Sequence, residues 1–300
     1  MSQILSDKQM VFIIGSPRSG TTWLQKILGN HPSVGTAESE ITLVHKYLRP
    51  LHDAWTQEKG TNAMGIPHGL PAVWNDGEFN AFTADFIDRV YQKVLDVESN
   101  NVTHVVEKYP QNAFDVHFIK ELFPNAKLIH LIRDGRKVAL SLVNVRKTAG
   151  FGSDSLPRAI KYWKKSIKAA REGRKYTGDF FEIRYEDLLE DGEKHLPTVL
   201  DFCGLPHTER QVREWVEANS IRNKPVSFPT SGDTVKEDLK KEYSPTEKLI
   251  FNKIAGDMLV ELNYAGPDWW HEGAASKYSH QFRWFVKSLS NRLKRVVADK

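Results

Sequence analysis

Four short strand-like runs recur along the chain: "VFII" (11–14), "HVVEK" (104–108), "KLIHLI" (127–132) and "FFEIRY" (180–185). Each leads into a stretch with helical spacing: "TTWLQKILGN", "AFDVHFIKELF", "RKVALSLVNVRK" and "EKHLPTVLDFCG". Short apolar strands are buried on both faces, and a helix between successive strands is a crossover that leaves them parallel. The pattern predicts an α/β fold, a doubly wound and mostly parallel sheet flanked by helices. Further helices are expected over 79–97, 156–172, 207–219 and 245–262. Residues 59–78 and 222–234 are rich in glycine, proline and other turn formers without periodicity, and read as long functional loops. With no internal repeat and no low-complexity linker, residues 1–276 are expected to form a single domain.

Residues 277–300 follow a different pattern. Phe282, Phe285, Leu289, Leu293 and Val296 recur at helical spacing among arginines and lysines. Such a basic amphipathic helix lies on an anionic membrane or packs its apolar stripe on the protein. Charge follows the same division. The net charge is +4; residues 277–300 carry +6 of it, which leaves the body at −2. The body is therefore not a general polyanion binder, and nucleic acid is not an expected partner. No signal peptide and no apolar run of membrane-spanning length is visible, so a cytoplasmic location is expected. The single cysteine, Cys203, sits in the helical "VLDFCGL" and reads as a buried structural thiol in a reducing compartment.

The chemistry concentrates after the first strand, in "GSPRSGTTWL" (15–24). A glycine-rich turn between a strand and a helix points backbone N–H groups at one spot, with the positive end of the helix behind them. Gly20 allows close approach, Thr21 and Thr22 add hydroxyls, and Arg18 adds permanent charge. The alternative is an ordinary strand-to-helix turn capped by Ser19. The spacing resembles the nucleotide loop G-x-x-x-x-G-K-[ST], but Thr21 stands where the lysine would be. A P-loop kinase or NTPase needs that lysine and Mg²⁺, which makes it the weaker reading. A second cationic motif, "RDGRKVALS" (133–141), follows the third run.

With "IRYEDLLED" (183–191) and the block from Ser231 to Tyr264, these motifs make the chain similar to the sulfotransferases that use 3′-phosphoadenosine 5′-phosphosulfate (PAPS). The resemblance runs in order from about residue 10 to 265, and implies a P-loop-like nucleotide fold. It implies that Arg18, Ser19, Gly20, Thr21 and Thr22 hold the 5′-phosphosulfate. Trp23 would stack on the adenine or serve as a core residue of the first helix. Arg133 and Ser141 would grip the 3′-phosphate; the structural alternative for Arg133 is an ion pair with Asp134 or Glu107. Tyr185 would lie against the adenine. "NKPVSFPTSGD" offers Arg222, Lys224, Ser227 and Gly232 for the 3′-phosphate, none in clean register.

Sulfuryl transfer needs a base for the acceptor's proton and a cation for the leaving oxygen. Cytosolic relatives place a histidine shortly after a lysine; here Tyr109 and Pro110 follow Lys108. The segment is closer to tyrosylprotein and carbohydrate sulfotransferases, whose base is a glutamate after the first helix. Glu38 and Glu40 are the candidates. On a helix they would face different ways, so only one can serve, and Glu40 is preferred. Lys108 is assigned to the bridging oxygen, with an exposed strand-end lysine as the alternative. His104, His117 and His130 read as core histidines, and His68 as a loop-surface residue, with a substrate contact as its alternative. No Cys/His cluster has metal-ligand spacing, so no metal is expected. The resemblance thus implies in-line transfer from PAPS to a hydroxyl, or an amine, of a small molecule, carbohydrate or lipid. The non-enzymatic alternative is a nucleotide-binding module without catalysis.

Overall fold

The computed structural model describes residues 7–60, 62–95, 101–219 and 243–266. The loop at 222–234 and the basic segment 277–300 lie outside them. Contacts divide the chain into two units, one of residues 1–133 and 166–224, the other of 134–165 and 225–300.

The first unit is built on five strands: β1 (Gln9–Gly15), β2 (Val34–Thr36), β3 (His104–Lys108), β4 (Lys127–Ile132) and β5 (Phe180–Arg184). Every pair is parallel, in the order β2-β3-β1-β4-β5. All four runs named from the sequence coincide with strands to within two residues at each end. The three-residue β2 carries too short a pattern to be read in advance.

Alternation along β1 shows why the sheet is covered twice. Val11 and Ile13 enter one core with Leu24, Ile27, Leu28, Leu196, Leu200 and Val212. Met10, Phe12 and Ile14 enter the other with Val44, Leu48, Ile87, Val116 and Ile119. Leu24, Ile27 and Leu28 come from α1 (Thr21–Leu28), Ile87 from α3 (Asp76–Leu95), and Val116 and Ile119 from α4 (Val116–Leu122); Val44 and Leu48 stand on a turn just before α2 (Arg49–Glu58). In the second unit, α5 (Gly135–Ala149) precedes α6 (Leu156–Ala170), which runs on into the first unit. After β5 come α7 (Tyr185–Glu190), α8 (Gly192–Cys203) and α9 (Glu209–Ala218), and the last described helix is α10 (Pro245–Glu261). Two helices start on capping boxes, Thr208 with Gln211 and Ser244 with Glu247. Irregular turns occupy Val44–Leu48, which is π-helical, and Pro110–Phe114, which is 3₁₀.

Within the second unit, Asp134 caps α5 by accepting from the Arg136 amide and pairs with the Arg136 guanidinium at 2.7 Å. The Trp163 ring tilts against Phe251 at 5.9 Å, and Lys164 bonds Asp257 of α10 at 2.7 Å. A Cβ on Gly135 would stand 2.6 Å from the Trp163 ring, so the position admits no side chain. Among the described residues no helix is long and apolar enough to cross a membrane.

Candidate active site

Strand order reverses around β1 and β4, and open parallel sheets bind ligands outside the carboxyl ends of their strands at such a point. The turn after β1 lies there. Arg18 adopts φ +72° and Gly20 φ +93°, both left-handed. Gly20 is the N-cap of α1, and no side chain caps that helix. Ser19 is fully buried and does not cap it. Among the described residues its Oγ has no hydrogen-bond partner. A buried hydroxyl left without a partner is costly unless something polar meets it. Thr21 is buried and Thr22 half-buried. Uncapped helix amides, an orphaned hydroxyl and an arginine in one turn fit an anionic phosphate or sulfate group.

The end of β4 closes on the same turn. Arg133 Nη1 donates to the carbonyl of Arg18 at 2.9 Å, and its guanidinium lies 4.5 Å from the centre of the Tyr185 ring. Of the two ion-pair partners considered for Arg133, Asp134 caps α5 and pairs with Arg136, and Glu107 accepts from Tyr91 and Asn112. Tyr185 opens α7 and is buried; a Cβ on Gly20 would stand 2.4 Å from its ring. Burial pushes the Tyr185 phenol up, against the opposing pull of Arg133. Trp23 is half-buried, edge-on to Tyr185 at 5.5 Å, and its indole donates to the Asn219 carbonyl at 2.8 Å. It therefore packs with the core and also borders the turn. Arg18, Ser19, Gly20, Thr21, Thr22, Trp23, Arg133 and Tyr185 belong to the first unit. Ser141 lies half-buried on α5 in the second.

The other half of the site stands at the ends of β2 and β3. Lys108 is 4% exposed, which overturns the exposed strand-end reading, and its ammonium donates to Glu40 Oε1 at 2.6 Å. A buried ammonium needs such a partner. The helix on which Glu38 and Glu40 were compared is absent: both stand on an irregular bend after β2, and Thr42 beyond them has φ +56°. Tethers replace helix geometry. Gln25 Nε2 donates to Thr36 Oγ1 and the Ala37 carbonyl, at 2.8 and 2.7 Å, and Thr36 Oγ1 donates to the Val106 carbonyl at 2.7 Å. The bend is thereby fixed beside β3, and Glu40 reaches Lys108. Glu38 is exposed.

Three residues that the sequence reading passed over complete this end. Tyr109 is buried, and its phenol is pushed up by burial and then by Glu40 and Asp115. Asp115 Oδ2 lies 2.5 Å from His45 Nδ1. These partners are about 70 positions apart, so no local motif announces them. Of the expected core histidines, His130 is fully buried against Glu182, and burial lowers its basicity. His104 is half-buried on the Cys203 carbonyl. His117 departs from expectation: it is nearly half exposed, beside the Tyr176 hydroxyl. Burial pushes the Cys203 thiol up to about 12, too high for a nucleophile. His68 is exposed.

A model of the sulfotransferase family matches residues 10–209, a span that contains the anion turn, the Glu40–Lys108 pair, Arg133 and Tyr185. The chain belongs to the sulfotransferase family. Protein-tyrosine sulfotransferase 1 of Danio rerio is 27% identical over 203 residues, covering 67% of this chain and 54% of that protein. An uncharacterized protein of Aquifex aeolicus is 31% identical over 232 residues, 75% of this chain and 29% of that one. The chain thus spans about half the length of the tyrosine sulfotransferase it matches. Among solved structures, a Mycobacterium avium sulfotransferase has a TM-score of 0.50 at 16% identity, covering 85% of this chain and 77% of that one. A mouse sulfotransferase complexed with PAP has a TM-score of 0.50 at 12% identity, covering 84% of each. At such identities these structures show the fold, and it is the family's.

Proposed function

We propose that this member of the sulfotransferase family transfers the sulfuryl group of PAPS to an acceptor hydroxyl, or an amine. The observation that carries the reading is the Glu40–Lys108 pair, a proton acceptor and a buried cation 2.6 Å apart. The anion turn lies at the neighbouring strand end. Bound PAPS would supply an activated sulfuryl group, and this chain's residues would do the rest. The α1 amides, Ser19, Thr21, Thr22 and Arg18 hold its 5′ end. Arg133, braced on Arg18 and Tyr185, offers a guanidinium to the 3′-phosphate, where a bidentate donor is favoured over lysine. Tyr185 and Trp23 border the adenine. Glu40 takes up the acceptor's proton; once protonated it loosens its hold on Lys108, whose ammonium then meets the charge growing on the leaving oxygen.

Acceptors proposed from the sequence are small molecules, carbohydrates and lipids. Relatives named protein-tyrosine sulfotransferases add a tyrosine phenol. A labelled-sulfate transfer screen across these classes with PAPS, in EDTA, tests the activity. Transfer is expected to persist there, whereas an NTPase would need Mg²⁺. Glu40→Gln is expected to lower kcat about 10²–10⁴-fold with PAP affinity unchanged by calorimetry. A fully active Glu40→Gln protein would remove Glu40 from the chemistry.

A further inference from the structure

A second proton-accepting group stands at the same strand end. His45 lies on the π-helical turn, five residues after Glu40 and 2.5 Å from Asp115 through Nδ1. The Asp115 side chain is 6% exposed and that of His45 33%. The imidazole is 5.8 Å from the ring of Tyr109, the residue next to Lys108. That phenol is influenced by Glu40 and by Asp115, which ties both carboxylates to one neighbourhood.

The Asp115 bond decides what the ring can offer. An ionised carboxylate only accepts, so the neutral imidazole carries its hydrogen on Nδ1 and leaves a lone pair on Nε2. Nε2 makes no hydrogen bond among the described residues and is not one of the fully buried polar atoms lacking a partner, so it is open to an incoming group. Glu40, by contrast, already has one oxygen on Lys108.

We propose that His45, held by Asp115, is a second proton acceptor of the transfer site, its Nε2 taking the acceptor's proton while Glu40 keeps Lys108 in place. This rests on the sulfuryl-transfer reading and revises one assignment within it: the acceptor's proton goes to His45 rather than to Glu40, whose role becomes holding Lys108. As the acceptor O–H bond breaks, Nε2 gains the proton and Asp115 stabilises the imidazolium. The freed oxygen pair forms the new O–S bond. The S–O bond to the nucleotide breaks, its electron pair stays on the phosphate oxygen, and Lys108 meets that charge. The proton then leaves Nε2 to water. The imidazole lone pair can act as a general base without giving up a contact, whereas Glu40 holds Lys108. Asp115 and Tyr109 from the β3–α4 connection face the ring; Glu40, paired with Lys108, acts on that same Tyr109, and Lys46 on the ring's own turn lies 5.8 Å from the centre of the Tyr109 ring.

The test is kcat/KM from pH 5 to 9 for the wild type, His45→Gln and Asp115→Asn, with PAP affinity measured alongside. The wild-type rate is expected to fall toward acid pH as the imidazole takes up a proton and loses its lone pair. His45→Gln is expected to lose about 10²-fold or more at pH 7.5 with PAP affinity intact, its remaining acid limb displaced toward the carboxylate range. Free imidazole should restore part of the rate to His45→Ala. Asp115→Asn removes the neighbouring anion and should shift the acid limb to lower pH. Wild-type rate and profile in either His45→Gln or Asp115→Asn overturn the dyad and leave the activity standing. A wild-type chain that binds PAP but transfers no sulfuryl group to any acceptor overturns the activity and the dyad together.

Discussion

Gly20 answers two demands at once. Its φ of +93° favours a residue without Cβ, and the Tyr185 ring occupies the place where a Cβ would go. Gly20→Ala should therefore lower stability by about 1–3 kcal/mol from backbone strain alone, and weaken PAP binding as Tyr185 is pushed aside. Urea unfolding and PAP titration would show both losses; a protein with unchanged PAP affinity would mean that the turn does not hold the nucleotide. At this scale the sequence was informative where function is local. Arg18, Ser19 and Gly20 form one contiguous turn, and glycine spacing next to a strand exposes it. It was uninformative where function is assembled over distance. Nothing near His45 in the chain points to Asp115, and choosing between Glu38 and Glu40 needed the tethers from Gln25 and Thr36.

Among elements, strand positions and most helix positions followed from periodicity because each element buries a face, and burial is what periodicity records; α2 was missed, since Trp55 is its one buried residue. β2 escaped because three residues are too few to show a period, and the π-helical and 3₁₀ turns because neither has one. Those irregular pieces carry Glu40, His45, Asn112 and Asp115 or stand beside them, so the acceptor end was the harder half to read. The nucleotide end rests on the carboxyl ends of two regular strands, β1 and β4, joined by the Arg133–Arg18 bond. If this brace reads the 3′-phosphate, the wild type should bind PAP far more tightly than AMP. Arg133→Ala should remove most of that preference while leaving AMP affinity near its starting value. Equal affinities of the wild type for the two nucleotides, measured by calorimetry, would reject the assignment.

For the whole molecule, two acids, the half-buried Glu182 and the buried Glu107, set opposite limits on stability. Glu182 works against burial, but His130 and Arg171 hold its carboxyl well below the usual range. The unfolded chain takes up that proton first, so this contribution is present at neutral pH and is lost as pH falls through the carboxylate range. Glu107 behaves in the reverse sense. Burial raises it to about 7, against the Asn112 hydrogen bond, and the Tyr91 hydroxyl donates to it. Folded protein therefore binds more protons than unfolded protein between about 4.5 and 7, and stability declines as pH rises through that window. Glu107→Gln cannot ionise and should lose less Tm than the wild type between pH 5 and 8. Identical losses in a thermal scan would show that Glu107 does not govern the decline.

The division of labour across the sheet has a consequence for how such a protein diversifies. On the proposed reading, one donor nucleotide would be handled by the β1 and β4 ends, and whatever receives the group would be met by the bend after β2 and the turn after β3. If separate strands support the two jobs, substitutions along 37–48 other than at Glu40 and His45 would retune the choice of recipient without disturbing the grip on the donor, so one scaffold could serve many chemistries.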